Sequence, residues 1–217
     1  MSDQLNLWEK NNSPLISNVT FDEIIKSSSI NEFKSKLRNF HCTRCPLSSE
    51  IQQNPTTSRG NPNSKIMLVG EAPGHNEMIQ GIPFVGRAGQ LMDKIFESIN
   101  LSTEKDVYIT NICRCRPVDN RTPLASEAKT CILYLNREIK LIEPQFILTL
   151  GATSAKYLLG NIVSSKPMQD IVGKFFTSDE YPNVKFFILY HPAALLYNPN
   201  LKIPMQEHMK LLNEHLH

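Results

Sequence analysis

Apolar positions along the chain follow two periodicities in turn, and their alternation predicts a layered α/β protein. Ile66–Val69, Val107–Ile112, Phe146–Leu150 and Val184–Tyr190 are continuous apolar runs of strand length, and Ile171–Phe176 is a fifth strand-like run. Ala88, Leu91, Met92, Ile95, Phe96 and Ile99 repeat at helical spacing, as do Ala128, Cys131, Ile132, Leu135, Ile139 and Ile142 before Pro144. Gly151 opens a short helix to Leu159, and Met205, Met209, Leu212 and Leu216 form a last helical stripe. Upstream, Phe21–Phe40 has helical spacing with a break at the three serines 27–29. Residues 46–64, rich in Pro, Asn, Ser and Thr, read as a long loop. Strands alternating with helices imply a parallel sheet covered on both faces. Such sheets bind ligands outside the carboxyl ends of their strands, which directs attention to Gly70–Gly74, Asn111–Cys115, Gly151–Ser154 and His191.

Composition narrows the class. With 217 residues, 41% hydrophobic and 20% charged, the chain is long and apolar enough for one well-filled core. No apolar run approaches the roughly 18 residues of a membrane helix. The amino end, MSDQLNLWEK, has neither a basic leader nor an apolar core, so a cytoplasmic protein without a membrane partner is expected. Residues 1–19 are polar and read as a loose arm. The balance of 23 basic against 21 acidic residues, net +2, permits a nucleic-acid partner without arguing for one.

Five cysteines carry the first candidate chemistry. Cys42 and Cys45 form a Cys-x-x-Cys turn before Pro46, Cys115 follows a strand, and Cys131 lies on the next helix. In a reducing compartment, four thiols so placed suit soft-metal ligation, and spacing does not choose between zinc and an iron–sulfur cluster. The plainer reading makes Cys131 part of its helix's apolar stripe and Cys113 and Cys115 small strand-end residues. Cys113 alternates with Cys115 along an extended segment and is expected to point away as a spare thiol.

The second concentration follows the strand at 66–69. Gly70-Glu-Ala-Pro-Gly-His-Asn-Glu77 and Gly81-Ile-Pro-Phe-Val-Gly-Arg-Ala-Gly89 match neither a Walker loop nor a dinucleotide fingerprint. Glu71 and Glu77 sit among permissive residues, an arrangement suited to a water-orienting carboxylate beside backbone donors. Phe84 is a loop aromatic, either a plug over the core or a stacking platform. Asn111, at a strand end, is either a turn former or a side chain offering a donor and an acceptor to a ligand. His191 closes a strand before Pro192, where open-sheet enzymes keep their chemistry. Between Asn111 and Lys129, Arg114, Arg116, Arg121 and Lys129 outnumber Asp119 and Glu127, a modest phosphate-attracting patch or a solvated face.

Together these segments resemble the family 4 uracil-DNA glycosylases, the iron–sulfur branch of that superfamily. The resemblance rests on Gly-Glu-Ala-Pro-Gly (70–74), Gly-Ile-Pro-Phe-Val-Gly-Arg-Ala-Gly (81–89), Tyr-Ile-Thr-Asn (108–111) and Cys-Arg-Pro (115–117). Asn-Arg-x-Pro (120–123), His-Pro-Ala-Ala-Leu-Leu-x-Asn-Pro (191–199) and the cysteine layout complete it. It implies a three-layer α/β/α fold with a central, mostly parallel four-stranded sheet, as a single domain over 31–217 after a poorly matched extension at 1–30. It implies a 4Fe–4S cluster on Cys42, Cys45, Cys115 and Cys131. It also implies Phe84 stacking on a flipped uracil, Asn111 reading its edge, His191 bonding its O2 and Ala72 in the pocket. Glu71 matches the residue proposed to orient the attacking water, Asn120 a residue supporting catalysis, and Glu77 the side chain that excludes thymine. Leu195 and Leu196 match the loop that wedges into DNA.

The expected activity is excision of uracil from single- or double-stranded DNA by a monomeric enzyme of base excision repair, leaving an abasic site. A relative that captures uracil-DNA without turnover, or covalently, is the alternative, although the extra basic, histidine-containing loop of that subgroup is missing near Asn111. A zinc-stabilised nucleic-acid module without activity is a third reading. Three positions depart from the family pattern: Arg114 for a lysine, Val118 for a proline, and Tyr197 for an arginine.

Overall fold

The computed structural model describes residues 19–51 and 53–216, so the expected arm at 1–19, apart from Val19, lies outside the described residues. The first half runs α1 (Phe21–Ile25), α2 (Ile30–Arg38), α3 (Pro46–Ile51), β1 (Arg59–Gly60), β2 (Ile66–Gly70), α4 (His75–Gln80), α5 (Arg87–Glu97) and β3 (Val107–Asn111). The second half runs α6 (Ala125–Ile142), β4 (Phe146–Leu150), α7 (Gly151–Leu159), α8 (Met168–Ile171), β5 (Phe175–Ser178), β6 (Tyr181–Leu189), α9 (Pro192–Tyr197) and α10 (Lys202–Leu216).

The sheet order is β1-β3-β2-β4-β6-β5, with β3, β2, β4 and β6 mutually parallel. These four are the expected parallel centre. Antiparallel strands flank it: β1 lies on β3, and β5 on β6. Side chains alternate across the sheet as a pleat requires. Met67, Val69, Tyr108, Ile147, Phe186 and Ile188 face one layer, while Ile66, Leu68, Ile109, Leu148, Phe187 and Leu189 face the other. The first face packs on α1, α2, α6 and α7, and the second on α5, α9 and α10, giving three layers.

Local chemistry sets several boundaries. The serine break is a capping event: Ser29 Oγ accepts from the Glu32 amide, and the Ser28 amide donates to the Glu32 carboxylate at 2.7 Å. Residues 46–64 hold a helical turn and a short edge strand rather than loop throughout. Ile171 ends a helix instead of starting a strand, because Gly173, at φ +70°, turns the chain before Phe175 pairs with Phe187. The segment at 19–30 packs on the domain, with Ile24 buried and the Phe21 ring edge-on to Tyr134 at 5.3 Å.

The region beyond β3 is tied down by charge. Arg114 and Glu138 are completely buried and form an ion pair between the strand's exit and the middle of α6. Tyr108 Oη and Thr110 Oγ1 donate to the two Glu138 oxygens at 2.8 Å each, and Arg114 Nη1 donates to Thr110 Oγ1 at 2.5 Å. A buried charge is tolerated only when paired and hydrogen-bonded in this way. Glu138→Gln should therefore strand the guanidinium and cost on the order of 3–5 kcal/mol of stability, read by denaturant unfolding. A loss below about 1 kcal/mol, the range of exposed pairs, would contradict the network.

Candidate active site

At the carboxyl ends of the parallel strands lies a cavity of about 440 Å³. That is within the range of about 300–1,000 Å³ usual for small-molecule sites. Parallel register sets Gly70 of β2 beside Asn111 of β3, and Asn111 lines the cavity. The glycine is obligatory: a Cβ there would lie 2.3 Å from Asn111 Oδ1 and 2.6 Å from the Phe84 ring. Phe84 itself has φ +56°, a left-handed backbone that an aromatic residue adopts only under constraint. Gly89 permits it, since a Cβ on that turn of α5 would lie 1.8 Å from the Phe84 carbonyl oxygen. Glu77 locks the same loop, its Oε1 accepting from the Gly86 amide at 2.9 Å.

Seven residues anticipated from sequence line this one cavity: Glu71, Ala72, Glu77, Phe84, Asn111, Asn120 and His191. Asn111 is only 2% exposed, and its Oδ1 has no partner. A buried unpaired acceptor is expensive unless a ligand donor meets it. The His191 ring lies 6.0 Å from that of Phe84, inclined by 35°. His191 also caps α9, its Nδ1 accepting from the Ala193 amide at 3.2 Å. That bond assigns the proton to Nε2. Burial, opposed weakly by Glu77, lowers the imidazole pKa to about 4, so the ring is neutral at physiological pH.

Across the cavity, the turn Val118–Asn120 places Asp119 and Asn120 at φ +52° and +54°, and Arg116 Nε donates to Asn120 Oδ1 at 2.8 Å. The two expected wedge residues separate. Leu195 is 2% exposed and packs into the core beneath α9, because Pro192–Tyr197 is helical and that turn faces inward. Leu196 is on the surface.

The four thiols Cys42, Cys45, Cys115 and Cys131 line a second, narrow pocket, together with Arg44, Leu47, Pro55, Arg114, Thr130 and Tyr134. Four thiols in one pocket, without a carboxylate or imidazole in its lining, are a donor set that fits a sulfur-ligated metal group. The Arg114 amide donates to Cys131 Sγ at 3.2 Å, and Tyr134 Oη and Cys42 Sγ share a hydrogen bond at 3.5 Å. Cys113 is buried and does not line the pocket. Burial pushes the Cys45 and Cys115 thiols up, which a bound cationic centre would reverse.

Residues 53–58 join the two pockets, a role no sequence signal suggested. Gln53 bonds the Leu47 and Arg116 carbonyls and the Arg116 amide, Thr56 bonds the Arg114 carbonyl, and the Thr57 amide bonds Gly81 O. Arg121 and Tyr197 also line the active-site cavity. Glu127 accepts from both Arg121 terminal nitrogens, at 2.8 and 2.7 Å. The Glu138 network could have been anticipated, since 131, 134, 135, 138, 139 and 142 share one helical face with an acid among apolar neighbours.

Because His191 stays neutral while an unfolded histidine takes up a proton near pH 6.5, the unfolded state binds more protons between about pH 6.5 and 4. Stability should fall as pH drops through that window. His191→Gln should show a shallower decline of melting temperature between pH 7 and 5; an unchanged decline would mean the ring titrates normally.

The uracil DNA glycosylase superfamily model matches residues 57–217, a span containing every residue of the cavity described above and two of the four thiols. The chain is 39% identical over 177 residues to the type-4 uracil-DNA glycosylase of Saccharolobus solfataricus, covering 81% of this chain and 82% of that protein. It is 39% identical over 184 residues to the Sulfurisphaera tokodaii type-4 enzyme, covering 83% of each. Identity to the Thermotoga maritima type-4 enzyme is 37% over 163 residues, covering 72% of this chain and 79% of that protein. The chain therefore belongs to the uracil DNA glycosylase superfamily, among its type-4 members.

Proposed function

We propose that this protein excises uracil from DNA by hydrolysing the N-glycosidic bond, releasing free uracil and leaving an abasic site. The observation carrying this reading is the unpaired, buried Asn111 Oδ1 beside Phe84 and the neutral His191 in one cavity. Uracil presents an N3–H donor between two carbonyl acceptors. The Asn111 carboxamide complements the N3–H and O4 edge, whereas cytosine reverses both polarities and would leave buried groups unpaired. Phe84 supplies a face for the flipped ring, and Glu77 and Ala72 line the cavity that must exclude a C5 methyl.

Cleavage of the bond from N1 to C1′ sends its electron pair onto uracil and leaves positive charge on the sugar. Nε2–H of His191 is suited to stabilise the anion at O2, where charge develops only in the transition state. A neutral imidazole gains by donating without having to surrender its proton. Glu71 is suited to orient the water that adds to C1′ and to oppose the sugar's positive charge, with Asn120 supporting the same side of the cavity.

Cys42, Cys45, Cys115 and Cys131 would hold a 4Fe–4S cluster, whose contribution is to cross-link the loop before α3 to the exit of β3 and to α6. The same β3 exit lies a few residues beyond Asn111, so this cross-link supports the base pocket from below. It takes no part in bond breaking.

The deciding experiment counts uracil released per protein molecule from single- and double-stranded uracil-DNA. Many turnovers are expected; capture with at most one would favour the binding-protein alternative. Asn111→Ala and His191→Ala should each lower excision by roughly 10²–10³ at unchanged folding, the usual loss for one transition-state donor. Near wild-type rates in both would mean the pocket is misassigned. Cys115→Ser should lose bound iron, visible absorbance and thermal stability together. Full iron content in that variant would refute the ligand set.

A further inference from the structure

Tyr197 is 90% exposed, an aromatic ring left in water on the rim of the active-site cavity. Isolated apolar side chains on a surface need no explanation, but this one lies on a rigid path from the chemistry. His191 caps α9 at one end, Leu195 anchors the helix in the core, and Tyr197 closes the helix at the other end. Tyr197 thus stands at a set distance along the helix from His191.

Resting on the reading of the protein as a uracil-DNA glycosylase, we propose that Tyr197 stacks on the base flanking the flipped uracil. Flipping leaves one face of each neighbouring base without its stacking partner. An exposed phenol ring at the rim can replace that lost contact whatever the neighbouring base, because every base has a π-face. Its grip on DNA is uncharged, so it releases no counterions and adds nothing to the salt dependence of binding. Leu195 is buried and cannot take this part, whereas Leu196 and Tyr197 are exposed. Tyr197 is therefore a positioning residue that holds the extrahelical state open, remote from the bond that breaks.

The test uses full-length protein and oligonucleotides with one uracil, or its slowly cleaved 2′-fluoro analogue, next to 2-aminopurine. Stacking of the ring should change 2-aminopurine fluorescence on binding. Tyr197→Ala should abolish that change and raise KM about tenfold or more, exceeding any fall in kcat, while Tyr197→Phe retains both wild-type signals. The slope of log affinity against log salt should be the same for wild type and Tyr197→Ala, and steeper by about one for Tyr197→Arg. A wild-type KM and fluorescence change in Tyr197→Ala would overturn the proposal. So would an equal loss in Tyr197→Phe, which would assign the effect to the hydroxyl. Failure of the wild type to release uracil overturns the underlying glycosylase reading instead, so the two failures are distinguishable.

Discussion

The exit of β3 is the point on which the rest of the structure depends, and a buried ion pair holds it. Within a few residues the chain supplies Asn111 to one cavity and Cys115 to another, with Arg114 between them. Arg114 is wholly buried and is neutralised by Glu138 from α6. Its amide reaches Cys131 and its carbonyl receives Thr56, so one residue touches sheet, helix, thiol pocket and connecting loop. Desolvating a guanidinium is unfavourable unless each of these partners stays in place. The pair therefore acts less as a source of stability than as a constraint on alternative packings. Displacing either pocket relative to the other would break it.

The active site shows how a parallel sheet and glycines together make a receptor. Side chains at adjacent strand ends would ordinarily fill the space above the sheet. Removing one side chain at Gly70 admits the Asn111 carboxamide and the Phe84 ring, and removing another at Gly89 allows Phe84 its strained backbone. The Glu77 carboxylate then fastens the Phe84 loop by accepting from the Gly86 amide. The remaining polar atoms are held by bonds that leave the groups facing the cavity free. His191 uses Nδ1 as a helix cap and keeps Nε2 for a ligand. Preorganisation of this kind avoids reorganisation when charge develops on a bound base.

Much of the layered fold was legible because burial on two sides leaves a strong periodic signal. β2, β3, β4 and β6 read as continuous apolar runs, and α5, α6 and α10 as stripes. The edges were less legible for a physical reason. β1 is two residues long, and β5 is half solvated and bent, so neither carries a long apolar run. The helices α4 and α9 are too short to display a period. The residues of the site were found through motif chemistry and resemblance rather than periodicity. Motif chemistry carries no information on inward and outward faces within the segment 192–197, where helical geometry buries Leu195 and sends Leu196 to the surface.

By itself the sequence determined the parallel α/β architecture, the set of four thiols and the strand-end residues with binding chemistry, because these depend on side-chain type and local spacing. Tertiary structure alone decided that Glu138, thirty residues from Tyr108 along the chain, accepts from its hydroxyl, and that residues 53–58 fasten one pocket to the other. It also decided that Tyr197 stands on the rim of the base cavity. Burial and pairing across distant segments are properties of the packed molecule. Local composition records which groups are available for such contacts, but only packing determines which of them meet.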